Sequence, residues 1–98
     1  MATLVILVAE AGVGSRFPLR EGELLIGRAE DAGICLKDTK ASLRHCSIHV
    51  HGGTIVLKDL GARNGTYVNG ISRKETPLSI GDRIVVGATV FELRKDSK

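Results

Sequence analysis

Short runs of Val, Ile and Leu recur about every ten residues along the chain, each closed by a cluster of Gly, Asn or Asp. They are Thr3 to Ala9, Phe17 to Leu19, Leu24 to Gly27, Ile34 to Leu36, Cys46 to His51, Thr54 to Lys58, Thr66 to Val68, Arg83 to Val86 and Val90 to Arg94. Strands of that length, punctuated at that spacing, predict an all-β sandwich or barrel. No window sustains the i, i+3, i+4, i+7 apolar repeat of an amphipathic helix, so little or no helix is expected. Two hairpins follow from turn chemistry: Gly52-Gly53 and Asn69-Gly70 each supply the positive φ angles of a two-residue turn between strand-like flanks.

With 98 residues there is material for one core and one domain, residues 1–98, ending in a polar tail over 93–98 that is expected to fray. A module this compact suits a free-standing protein opening at Met1 as well as a piece of a larger chain. No apolar run approaches the length of a membrane helix, and "TLVILVA" lacks the basic flank of a signal peptide, so it reads as a strand. Cys35 and Cys46 have no CxxC spacing; both read as reduced, small core residues of a cytoplasmic protein. A net charge of +3 favours anionic partners without demanding a polyanion, and only Phe17, Tyr67 and Phe91 are aromatic, which removes the stacking surface of a single-strand nucleic-acid binder.

The stretch "KASLRHCSI", residues 40–48, holds the residue types of a nucleophilic site. A triad would need an acidic orienting group beyond Ser42 and His45 and an oxyanion hole, and no GxSxG motif signals either. Period-two alternation puts Cys46, Ile48 and Val50 on the core face, where a thiol is inert, and Ser47, His49 and His51 on a polar outer face. Two imidazoles without a third ligand do not make a structural metal site, so no metal is expected. "AGVGSR" at 11–16 lacks the third glycine and the following helix of a dinucleotide loop and reads as a turn. Gly27-Arg28 is different: a glycine ending a strand permits close backbone approach, and the arginine can fork two hydrogen bonds onto an oxyanion. Arg63 and Asn64 stand in a loop and offer a cation and an amide able to clasp an extended peptide.

Taken together, "GR" at 27–28, "SLRH" at 42–45, "RNGTYVNG" at 63–70, "GDRIVVG" at 81–87 and "FEL" at 91–93 resemble the forkhead-associated (FHA) domain, a phosphothreonine-recognition module. The resemblance implies a sandwich of two twisted antiparallel sheets with recognition loops gathered at one end. It implies that Arg28 and Ser42 bind the phosphate, that Arg63 joins them, and that Asn64 holds the peptide main chain. Lys40 falls where the family often reads the third residue after the phosphothreonine, which implies a tolerance for acidic or polar residues there. His45 is implied to brace the loops from within, and Gly27, Gly65, Thr66, Asn69 and Gly70 are the structural positions of the motif.

One departure stands out. The position after Ser42, often polar or basic in the family, is Leu43; it keeps a peptide-facing place but forgoes a hydrogen bond, with Arg44 and Arg63 as the charges able to compensate. The implied function is a non-enzymatic module binding a phosphothreonine-containing protein or peptide, preferring phosphothreonine to phosphoserine through a small methyl pocket. No catalytic residue, cofactor, membrane or specific nucleic-acid partner is expected. The alternative is an interaction domain that binds an unphosphorylated partner through a sheet face.

Overall fold

The computed structural model describes residues 2–96, which form eleven strands and no helix. They are β1 (Ala2–Val8), β2 (Arg16–Pro18), β3 (Gly22–Gly27), β4 (Ile34–Cys35), β5 (Cys46–His51), β6 (Thr54–Asp59), β7 (Thr66–Val68), β8 (Ile71–Ser72), β9 (Glu75–Pro77), β10 (Arg83–Val86) and β11 (Thr89–Lys95). One sheet has the order β2-β1-β11-β10-β7-β8 and the other β4-β3-β5-β6-β9. Leu4, Ile84, Val86, Phe91 and Leu93 from the first meet Ile26, Ile34, Cys46, Ile48 and Leu57 from the second in one apolar core. Each fully buried Leu, Ile or Phe contributes about 1.5–3 kcal/mol, so this shared layer holds the sandwich closed.

The hairpin turns have the expected conformation, with φ of 57° and 84° at Gly52 and Gly53 and 52° and 83° at Asn69 and Gly70. Pairing is antiparallel throughout except between β3 and β4, which run parallel. The loop of residues 28–33 carries the chain sideways by one strand and sets it down in the same direction for two residues.

Several expectations are corrected. β8 and β9 escaped the hydrophobic pattern because each lies at the edge of its sheet, where polar residues and Pro77 are tolerated. The chain end is firmer than a tail fraying from 93: Leu93 is fully buried and its main chain bonds Gly81 and Asp82, so β11 runs to Lys95. Residues 97–98 of that expected tail lie outside the described residues. The outer face of β5 is only partly solvated, since Ser47 is buried and hydrogen-bonded to His49 Nε2 at 2.9 Å, while His49 and His51 face Glu23 and Glu21.

Cys35 is not a core residue. Alternation along β4 sends Ile34 inward and Cys35 out to solvent. Cys46 is enclosed, and burial pushes its thiol up to about 12, with the neighbouring Thr66 hydroxyl opposing that and the nearby Asp59 charge adding to it. An alkylating reagent should therefore label Cys35 alone in the native protein and both thiols only in denaturant, as read by intact mass. Native labelling of Cys46 at a rate comparable to Cys35 would contradict this packing.

Candidate functional site

The strand register decides which loops meet. Ile26 at the end of β3 pairs with Cys46 at the start of β5, and Cys46 pairs in turn with Asp59 at the end of β6. The segments just beyond these three residues, 27–28, 36–45 and 60–65, are therefore neighbours at one end of the sandwich.

Gly27 makes the first junction. A Cβ there would lie 2.0 Å from the Leu43 carbonyl oxygen. That closeness lets the chain go on pairing past β3, with Arg28 N–H donating to Ser42 O and Ala29 N–H to Leu43 O, both at 3.1 Å. Arg28 is fixed by its Nε–H, which donates to Ala41 O at 2.5 Å, and the residue lines the loop cleft.

Ser42 is held from two sides. Its N–H donates to His45 Nδ1 at 3.0 Å, and its Oγ accepts the Arg63 N–H at 3.0 Å. With Oγ already accepting, the hydroxyl hydrogen is free to be donated outward. His45 is fully buried, and its Nε2 lies 2.8 Å from Gly65 O. A carbonyl only accepts, so Nε2 carries the proton and Nδ1 is the acceptor. The ring thus joins two loops and addresses the Ser42 main chain rather than its hydroxyl, which leaves no serine–histidine dyad for nucleophilic attack.

The third loop is braced by Asp59, which accepts the Thr66 hydroxyl at 2.7 Å and the Gly61 N–H at 3.1 Å. Gly65 takes a φ of 75°, and the chain before it presents Asn64, whose Nδ2 donates to Lys40 O at 2.9 Å. The Asn64 Oδ1 and its second amide hydrogen stay available. Asn69 caps the adjoining hairpin by bonding Asp82 and the Arg83 N–H, both at 3.0 Å.

The result is a cleft of about 290 Å³ lined by Arg28, Thr39, Lys40, Ala41, Ser42, Arg63 and Asn64. Three of these are cationic and none is acidic. Among the described residues no carboxylate lies within 4.0 Å of Arg28, Lys40 or Arg63, although several other surface cations are paired. A larger cavity, about 530 Å³, is elsewhere, lined by Ala2, Gly53, Ile55, Leu78, Ser79, Ile80 and Lys95. It sits at the far end of β5 and β6 and lacks a converging set of polar groups, so the smaller cleft is the better candidate.

Of the residues singled out in the sequence, Arg28, Lys40, Ser42, Arg63 and Asn64 come together. Leu43 does not line the cleft; its side chain is exposed at the rim, and its carbonyl serves Ala29. Arg44 is turned to Asp31 at 3.2 Å rather than into the cleft, so its charge is already answered. The sequence reading missed Thr39 and Ala41 in the lining, and it missed Asp38 and Asp59, the buried acids behind the loops. A faint signal existed for Asp38 in "DTKAS", an aspartate two residues ahead of an amide it can accept.

A β-sandwich whose loops hold unpaired cations around a hydroxyl defines a class, that of scaffolded anion-binding modules. The chain belongs to the forkhead-associated (FHA) domain family. The family model described as the cytoplasmic domain of an inner membrane component of T3SS matches residues 11–97. FhaA of Mycobacterium tuberculosis, an FHA domain-containing protein, is 42% identical over 92 residues, 94% of this chain. The solved FhaA FHA domain, complexed with the intracellular domain of Rv3910, superposes with a TM-score of 0.88 at 38% identity, covering 96% of this chain and 100% of that one. A second solved structure, concerned with phosphothreonine-dependent FHA domain interactions, has a TM-score of 0.88 at 37% identity over 99% of this chain and 98% of that one. The chain spans less than two thirds of the curated relatives it matches, 18% of FhaA and 61% of FhaB.

Proposed function

We propose that this domain recognises phosphothreonine in partner proteins and acts by binding rather than by catalysis. The observation that carries the reading is the convergence of Arg28, Lys40 and Arg63, none with a carboxylate partner among the described residues, on the cleft that Ser42 also lines. A threonine phosphate carries about −1.5 to −2 charges and three strong acceptor oxygens, so it suits a forked cation, a hydroxyl and a further positive charge placed around it. The Arg28 Nη groups take phosphate oxygens, Ser42 donates a short hydrogen bond, and Arg63 adds charge. Asn64 is placed to hold the peptide main chain, and Lys40 to meet an acidic or polar residue further along it. The likeness to structures of phosphothreonine-dependent FHA interactions supports the same ligand.

A nucleic acid fits less well, because a backbone of repeating phosphates calls for a stripe of cations rather than one cleft. The other relatives include a glycogen accumulation regulator and an oxoglutarate dehydrogenase inhibitor, regulatory proteins by name. This domain is accordingly read as the partner-recognition element of a signalling or assembly protein working in the cytoplasm.

The test is an oriented phosphothreonine peptide library followed by calorimetry on the best peptide, its phosphoserine form and its unphosphorylated twin. Removing the phosphate should weaken binding at least about a hundredfold, since several charge-assisted hydrogen bonds are lost at once. Equal affinity for the two peptides would discard the phosphate cleft and move the function to a sheet face.

A further inference from the structure

Asp38 does not line the cleft and its side chain bonds none of Arg28, Ser42 and Arg63, yet it holds the loop that shapes the cleft. It is 8% exposed and accepts three hydrogen bonds. Oδ1 takes the Lys40 N–H at 2.9 Å, and Oδ2 takes the Ala88 N–H and the Thr89 hydroxyl, both at 2.8 Å. The main-chain carbonyl of Asp38 takes the Ala41 N–H at 3.0 Å. Residues 38–41 are thereby curled into a tight turn, and two carbonyls of that turn point back into the cleft. One is Lys40 O, which receives Asn64 Nδ2 at 2.9 Å, and the other is Ala41 O, which receives Arg28 Nε at 2.5 Å.

The curl is also pinned to the opposite sheet. Ala88 lies in the β10–β11 turn and Thr89 opens β11, fifty and fifty-one residues further along the chain. Gly87 in that turn adopts φ of 62° and has no room for a Cβ, which would sit 2.8 Å from Ala41 N and 2.9 Å from Asp38 Oδ2. An aspartate accepting a nearby amide is commonplace in loops. One that is buried, bonds both sheets and sets the two carbonyls that aim the cleft's arginine and asparagine has a further consequence.

We infer that Asp38 is the positioning residue of the phosphate cleft, aiming Arg28 and Asn64 through the Ala41 and Lys40 carbonyls and tying their orientation to the β10–β11 turn. The inference rests on the phosphate reading above and deepens it: ligand affinity depends on residues of the other sheet that never meet the ligand. The electrostatics agree. Burial by itself would raise the Asp38 carboxyl, but the Thr89 hydroxyl and the amides of Lys40, Ala88 and Ala41 outweigh it and hold the group below its ordinary value. The side chain is therefore ionised wherever the protein is near neutrality, as an acceptor of three donors must be.

Asp38→Asn tests this with little change of shape. The amide keeps one acceptor oxygen and turns an NH2 either on the Lys40 N–H or on the Ala88 N–H, setting donor against donor. Thr89→Val is the milder companion, removing one donor from the far sheet, and serves if the first variant does not fold. Two readouts separate the claims. In the free protein, the 15N–1H signal of Arg28 Nε reports the bond to Ala41 O: it should be slow-exchanging in the wild type and lose that protection in Asp38→Asn, with core methyl signals unmoved. In binding, phosphopeptide affinity should fall about tenfold or more in Asp38→Asn and about threefold in Thr89→Val. The wild type's preference for phosphopeptide over its unphosphorylated twin reports separately on the phosphate reading. Folded variants with an unchanged Arg28 Nε signal and wild-type affinity within twofold would overturn the inference, whatever the wild type binds.

Discussion

Replacing Arg28 with alanine should remove phosphopeptide binding by a factor of at least a few hundred, while leaving the domain folded. Arg28 is an exposed residue and its side chain's one internal bond, the part-buried Nε to Ala41 O, lies outside the apolar core, so the core does not depend on it. The residue lines the cleft and has no carboxylate partner among the described residues. Hydrogen bonds between ionised groups are worth about 1.5–3 kcal/mol each, and a guanidinium can place two on one phosphate. Losing both costs about 3–6 kcal/mol, or roughly two to four powers of ten in Kd. Arg28→Lys discriminates charge from geometry: an ammonium keeps the positive field but has no planar fork and no Nε to anchor on Ala41, so it should recover only part of the loss. Calorimetry with the preferred phosphopeptide, beside urea unfolding of each variant, reads both effects. An Arg28→Ala protein that binds within fivefold of wild type would show that the cleft is not where the phosphate sits.

Much of the fold is legible in the sequence, but for uneven reasons. The inner strands announced themselves: β5, β7 and β10 begin and end where the apolar runs and turn glycines predict, because burial on one face imposes alternation and the turns need positive φ. Edge strands are less constrained: β8 was signalled only as the second flank of the Asn69-Gly70 turn, and β9 left almost no trace. Cys35 was misplaced because a two-residue strand is too short for alternation to reveal its phase. The gathering of Arg28, Ser42, Arg63 and Asn64 follows from Ile26, Cys46 and Asp59 standing in line across three strands, a non-local pairing that no local pattern encodes. Only the resemblance of spaced motifs to a known family brought those residues together in advance. What remained hidden were Asp38 and Asp59, whose roles depend on donors supplied by Ala88, Thr89 and Thr66 after folding.

The two hidden acids and His45 share a logic. Each recognition loop is short of regular structure, so its main-chain groups need partners other than a strand. Asp38 satisfies amides of the loop after β4, Asp59 those of the loop after β6, and His45 bonds both loops. Buried acceptors that face several donors leave few alternative arrangements, so the loops are ordered before any ligand arrives. A cleft ordered in advance loses less entropy on binding, which is how a small set of contacts can hold a peptide firmly.

A severe loss of stability from a single added methyl should follow Gly27→Ala. The new methyl would be placed 2.0 Å from the Leu43 carbonyl oxygen, 2.8 Å from its carbon and 2.9 Å from Ser42 O, all main-chain atoms. No rotamer change relieves a clash with backbone, so the 42–43 segment must move away from β3. Moving it breaks the Arg28 N–H bond to Ser42 O and the Ala29 N–H bond to Leu43 O. Two main-chain bonds at about 1 kcal/mol each, with overpacking of about 1–3 kcal/mol, outweigh the fraction of a kcal/mol that alanine returns by stiffening the unfolded chain. The net loss should be about 2–4 kcal/mol, a large share of the 5–15 kcal/mol typical of a small domain. Because the displaced segment carries Ser42, phosphopeptide affinity should fall with it. Gly33→Ala is the control from the same neighbourhood: its methyl would meet Leu24 Cδ1 at 2.5 Å, the free end of a partly buried side chain that can rotate aside. Urea midpoints should therefore separate the two variants clearly, with Gly33→Ala within about 1 kcal/mol of wild type. If Gly27→Ala unfolds at the wild-type midpoint and keeps its affinity, then the close approach of β3 to the Ser42 loop is not what builds the cleft.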